Sequence, residues 1–176
     1  MITMAIKKTS IFTLTERLTI SAAATDTFAT IDLGSYVDVG DRQALQVHSV
    51  DFIFQGQTAS DDVSVALGAG RECQVQVTDL NRGGTVFADD RALVASGRLS
   101  VDLQQGMTHA ADLYPDNFGK GSDDGRYVVN DQLYITGVCS ALTNPVNVTV
   151  RVNASIVSLT AKDFMAIAIQ STAADN

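Results

Sequence analysis

A chain of 176 residues that is 45% hydrophobic, with a mean hydropathy of +0.12, has mass and apolar content for one well-buried core, which excludes a disordered chain. Its net charge of −8 and the lack of any basic run beyond Lys7-Lys8 count against nucleic acid as a direct partner, because duplex binding is driven by Lys and Arg against phosphates. No stretch of about eighteen apolar residues is present, so no helix of the sequence reads as a membrane span.

With no Trp and aromatics at 6%, the core must come from Val, Ile, Leu and Ala, a composition that favours sheet. Asp outnumbers Glu 18 to 2, and only 4 of the 12 basic residues are Lys. Asp is poor in strands and good in turns, so this reads as a loop-rich β protein. The same acidic, Lys-poor content also suits a surface kept hydrated at high salt.

Met1–Ser10 reads as an extended arm. Ile11–Ile20 alternates apolar with polar as a first strand; Glu16 and Arg17 interrupt it as a secretory apolar region, although Ser21-Ala22-Ala23-Ala24 resembles a cleavage site. Thr27–Val37 gives a second strand with a break at Gly34, and Asp38–Asp41 a turn. Gln43–Phe54 switches parity near His48–Val50, which predicts a bulge or bend. Val63, Val65 and Leu67 alternate after the Ser60-Asp61-Asp62 turn, and Cys73, Val75 and Val77 alternate after Gly68–Gly70. Leu80–Thr85 is a turn, Thr85–Phe87 a short strand, and Arg91–Leu103 is compatible with helix or strand. Gln104–Arg126 is a long stretch with little pattern, and Tyr127–Val138 resumes a strand.

The strongest signal is Val146–Ile156. Val146, Val148, Val150, Val152, Ala154 and Ile156 share one parity, and Asn147, Thr149, Arg151, Asn153 and Ser155 the other. Successive strand side chains alternate faces, so this is a strand with one dry face that needs neighbours on both edges. In the tail, Thr160 is an N-cap with Asp163 three residues on, and Phe164, Ile167 and Ala168 share a helical face; a last strand alternating Met165, Ile167 and Ile169 is the competing reading. Some eight strands without interleaved helices predict an all-β antiparallel sandwich or barrel.

The inventory of chemistry is thin. His48 and His109 stand apart, with no nucleophile motif nearby, and no phosphate-binding glycine loop is present. The pairs Asp61-Asp62, Asp89-Asp90 and Asp123-Asp124 lie at turns, where solvated carboxylates are the ordinary outcome. Asp112, Asp116, Asn117, Asp123 and Asp124 form an oxygen-rich, glycine-punctuated loop that suits Ca²⁺ chemically but lacks EF-hand spacing; no other cofactor is implied. Cys73 and Cys139 read as buried hydrophobes or as a disulfide. The sequons at Asn147 and Asn153 fall on the polar face of a strand, where Asn and Thr/Ser coincide by chance. Phe164, Met165, Ile167 and Ile169 form an apolar segment to be buried under the sheet or against another subunit, which marks them as interface candidates.

Size, strand count, the arm at Met1–Ser10, and the ending in which Val146–Ile156 is followed by Leu159–Ile169 resemble a single jelly-roll viral capsid protein. The acidic, Lys-poor composition is similar to that of the small major capsid proteins of icosahedral, membrane-containing viruses of halophilic archaea. The resemblance implies an eight-stranded jelly-roll sandwich over 11–159, an arm over 1–10 and a helix and tail over 160–176. It implies a non-enzymatic virion protein that self-assembles with its own copies and other capsid proteins, in a shell near an internal membrane that it does not span. A carbohydrate-binding sandwich, for which stacking aromatics are scarce, and a phage decoration or tail protein are the alternatives. A cupin-type enzyme is disfavoured by the lack of clustered histidines.

Overall fold

A computed structural model of the chain describes residues 6–104, 106–110 and 125–172. The strands are β1 (Ile6–Lys7), β2 (Phe12–Ile20), β3 (Thr27–Asp32), β4 (Gln43–Gln55), β5 (Arg71–Thr78), β6 (Leu93–Val101), β7 (Met107–Ala110), β8 (Arg126–Val128), β9 (Gln132–Cys139) and β10 (Val146–Ser158). Two helices join them, α1 (Val63–Leu67) and α2 (Ala161–Thr172).

The pairings run β2 with β10, β3 with β9, β4 with β8 and β5 with β6, all antiparallel. First pairs with last, second with next to last, and so inward: a long hairpin rolled up. Rolling adds the pairings β4 with β10 and β5 with β9. One sheet then reads β2–β10–β4–β8 and the other β3–β9–β5–β6, which is the jelly-roll order. The short strands β1 and β7 extend the two sheets.

β10 is central to its sheet, pairing along its length with β2 and β1 on one edge and with β4 on the other. Val146, Val148, Val150, Val152 and Ala154 are fully buried, as their parity requires, and burying each Val is worth about 1.5–3 kcal/mol. The pairing with β4 skips from Asn153↔Ser49 to Ala154↔Val47, so His48 is the extra residue of a bulge, where the parity switch predicts one. Beyond the bulge both faces are covered. Leu45 and Val47 join the sandwich core, while Ala44 and Val157 pack with Val129, Leu159 and Phe164 in a second cluster under α2.

The sheets mesh through a row of small residues. Gly97 of β6 and Gly137 of β9 both stand opposite Val75 of β5. A Cβ at Gly97 would lie 2.5 Å from Phe52 Cδ2, and one at Gly137 would lie 2.5 Å from Leu18 Cδ2. Phe52 and Leu18 come from the opposite sheet, so the missing side chains are the holes that these large ones fill. Cys73 and Cys139, directly opposite on β5 and β9, form a disulfide.

Several expectations change. Val63–Leu67 is a helix, not a strand: Asp62 caps it, accepting from Ser64 N at 2.8 Å, and Gly68 ends it at φ 88°. Thr85–Phe87 is loop, its backbone held by a side chain instead of a strand. Tyr127–Val138 divides into β8 and β9, and Arg91–Leu103 resolves as β6. The tail is helical, with the Thr160 hydroxyl accepting from Asp163 N at 3.2 Å and donating to Asp163 Oδ2 at 2.6 Å.

Candidate functional site

The nearest approach to a nucleophile and base is on the outer side of β4 and β10, where His48 Nε2 lies 2.9 Å from Ser155 Oγ. Ser155 is fully buried, and its hydroxyl also donates to Gln46 Oε1 at 3.4 Å. The chain between β1 and β2 lies along the same stretch of β10: Lys8 N donates to Ile156 O, and Ile156 N to Thr9 Oγ1. The pair of His48 and Ser155 ties β4 to β10 at the bulge.

The strongest electrostatic feature is Asp79, one residue beyond β5. Its carboxyl is almost fully buried, and burial raises its pKa from 3.8 to about 6, against the opposing pull of Arg126 and, more weakly, Arg82. Arg126 Nη2 lies 3.5 Å from Asp79 Oδ2, while Oδ1 has no hydrogen-bond partner among the described residues. The same guanidinium donates to the carbonyls of Leu93 and Arg91. Asn130 Nδ2 donates to the Asp79 carbonyl at 2.7 Å, and Arg82 pairs with Asp90 at 2.9 Å. Beside this cluster the buried Gln76 amide bonds Val86 through both its oxygen and its nitrogen. The segment between β5 and β6 is thus clamped over the outer side of its sheet. A perturbed carboxyl can mark chemistry; among the described residues its partners are the structural donors Arg126 and Asn130.

The outer side of the β2–β10–β4 sheet is a polar ladder. Thr13 donates to Asn153 Oδ1 at 2.7 Å and Asn153 Nδ2 to Ser49 at 2.9 Å. Thr19 donates to Asn147 Oδ1 at 2.7 Å, and Asn147 Nδ2 to the Gly56 carbonyl at 2.8 Å. Both sequon asparagines therefore spend their amides inside paired strands, which fits coincidence of sequence rather than glycan attachment.

Two concavities stand out among the described residues. One, bordered by Ser60, Asp61, Asp62 and Asn144, has its carboxylates engaged by its own turns: Asp61 accepts from Thr58 N, and Asp62 caps α1. The other is an apolar groove of about 350 Å³ between the edge of β4 and β7, walled by Phe52, Phe54, Val63, Leu99, Met107 and His109. The His109 ring meets the Phe54 ring edge-on, with centroids 5.5 Å apart.

Of the sequence-predicted site residues, Asp112, Asp116, Asn117, Asp123 and Asp124 lie outside the described residues. Among the described residues no group of three or more His, Cys, Asp or Glu side chains is placed to hold a metal, and no helix is long and apolar enough to cross a membrane. The four tail residues divide. Phe164 and Ile167 pack on the second cluster under α2, while Met165 and Ile169 turn outward at 58% and 61% exposure. Sequence reasoning missed Asp79 and the groove. The one needs Arg126 from a distant strand, the other the meeting of β4, α1, β6 and β7.

No family model matches the chain, and no curated protein sequence matches it. Solved structures similar to it include the unassembled KI polyomavirus VP1 pentamer, at 10% identity and a TM-score of 0.42, covering 90% of this chain and 98% of that one. The unassembled Washington University polyomavirus VP1 pentamer (R198K mutant) is similar at 9% identity and 0.39, covering 88% and 95%. The desmodium yellow mottle tymovirus structure is similar at 10% identity and 0.32, covering 86% and 90%. The jelly-roll assignment above rests on the strand pairing alone.

Proposed function

We propose that this chain is a structural virion protein, a jelly-roll brick that associates with its own copies and other capsid proteins into an icosahedral shell, with no catalytic role. The observation that supports the reading is the combination of a complete jelly-roll pairing with outer sides whose polar groups are spent on one another. A fold alone assigns no function. Among the described residues the surfaces bring no reaction centre together, while apolar side chains stand exposed at Phe28, Phe87, Leu103, Met107, Met165 and Ile169.

The acid-rich composition extends the proposal to a shell of the kind built by viruses of high-salt habitats, close to a membrane without spanning it. At a net charge of −8 copies repel one another, and salt screens that repulsion within about 10 Å at 0.1 M and about 3 Å at 1 M. Assembly therefore rises with salt. Light scattering of the purified protein across a salt series, followed by negative-stain imaging, tests this. Regular particles at high salt are expected, and scattering that stays at the monomer level at every salt refutes the reading.

A further inference from the structure

The open groove and the outward stripe of α2 sit at opposite ends of β4. The second cluster holds Phe164 and Ile167 against Ala44, at the start of β4, while the groove is walled by Phe52 and Phe54 near its end. At about 3.3 Å per strand residue, the two are about 26 Å apart along the strand. The stripe also faces away from its own sheet, so the helix cannot fill the groove of its own chain. Their chemistry matches nonetheless. The groove is apolar, and two exposed carboxylates adjoin its wall in the chain: Asp62 precedes Val63, and Asp102 lies in the turn that joins β6 to β7. The stripe is also apolar, with Met165 and Ile169 one helical turn apart, and its exposed charge is Lys162, one turn before Met165. Lys7 and Lys8 are exposed on and beside β1, which pairs with the end of β10 that leads into α2. So three of the chain's 4 Lys stand beside the helix, and acidic groups stand beside the groove.

We propose that α2 of one copy docks in the groove of the next, placing Met165 and Ile169 between β4 and β7 and Lys162 against the acidic rim. The contact joins two different surfaces, so it propagates head to tail and closes into a ring or continues as a lattice. This inference rests on the self-assembly reading and specifies which surfaces meet.

Complementary blocking tests it. Met165→Asp spoils the helix and leaves the groove; Met107→Asp spoils the groove and leaves the helix. Both positions are more than half exposed, so both variants keep the fold, which circular dichroism and thermal melts verify. In analytical ultracentrifugation at a salt concentration where the wild type associates, each variant alone loses association by about tenfold or more, because a charge is driven into an apolar contact. An equimolar mixture then recovers one-to-one dimers, since each variant supplies the surface the other lacks. Variants that associate like the wild type, or a mixture no more associated than its parts, overturn the docking while leaving self-assembly standing. A wild type that never associates overturns the assembly reading and this contact with it.

Discussion

Substituting Gly97 by Ala tests how the two sheets mesh. The added Cβ would lie 2.5 Å from Phe52 Cδ2 and 2.7 Å from its Cγ, whereas ordinary contact begins at 3.4 Å. Phe52 is 2% exposed, so the sheets must part by about 1 Å locally or the ring must leave its rotamer toward the groove it walls. Overpacking of this kind costs about 1–3 kcal/mol, offset by the ~0.4–1 kcal/mol that Ala gains over Gly in the unfolded chain. The expected net loss is about 1 kcal/mol, or about 2–4 °C in Tm for a domain of this size. Urea unfolding followed by circular dichroism and tyrosine emission measures it, since the chain has no Trp. The diagnostic variant is Gly97→Ala combined with Phe52→Leu. If the methyl and the ring contend for one hole, the pair is less destabilised than the sum of the single changes by about 1 kcal/mol. A Gly97→Ala protein as stable as the wild type, or strictly additive losses, would refute the account of Gly97 as the socket for Phe52.

The disulfide closes a sequence separation of 66, for which chain-entropy accounting gives about 4 kcal/mol. Reductant should lower the urea midpoint of the wild type and leave a Cys73→Ala/Cys139→Ala protein unmoved. Asp79 has a folded pKa near 6 against its ordinary 3.8, so the folded state binds the extra proton between those values. Its contribution is fully present below 3.8 and is lost as pH rises through 6; at ~1.4 kcal/mol per pH unit the difference is about 3 kcal/mol. Wild-type stability relative to Asp79→Asn should therefore fall from pH 4 to pH 7 in parallel melts, and a flat difference would contradict the burial argument. Thr160→Ala removes both bonds of the α2 cap and should cost about 1 kcal/mol, read as a lower midpoint with the sandwich otherwise intact.

What could be read from sequence was what is periodic and local. The valine parity of β10, the parity switch that becomes the His48 bulge, and the Thr160 cap each declare themselves within a few residues, because strand and cap geometry act over that range. α1 was misread because V-S-V-A-L satisfies a period of two over five residues as well as it satisfies one helical turn. The Asp62 cap and the Gly68 stop decide it, and both lie outside the alternating run. Thr85–Phe87 has β-forming composition but no strand to pair with: the buried Gln76 side chain takes both polar groups of Val86. The roles of Gly97 and Gly137 were invisible in sequence, since a glycine in a strand reads as a weakness until the facing side chain is known. Asp79 was hidden for the same reason, its partners Arg126 and Asn130 arriving only when β8 and the turn after it fold back.

The groove follows from an inequality between strands. β10 pairs with β4 from Gln43 to Gln55, but β8 pairs with it only from Leu45 to Val47. Beyond Val47 that edge of β4 has no strand beside it among the described residues, while its inward side still carries Phe52 and Phe54, chosen to fill a sandwich. On the facing sheet β7 adds Met107 and His109 to Leu99. Apolar side chains suited to a closed core are thus left at an open seam, next to an unpaired strand edge. Such an edge joins another chain unless something guards it. The β2 edge is guarded by Glu16 and Arg17 in mid-strand, whereas the one charged residue on the open half of β4, Asp51, stands opposite Arg151 of β10. The seam is therefore the place where this sandwich is least self-sufficient, and its inward apolar wall favours an apolar partner.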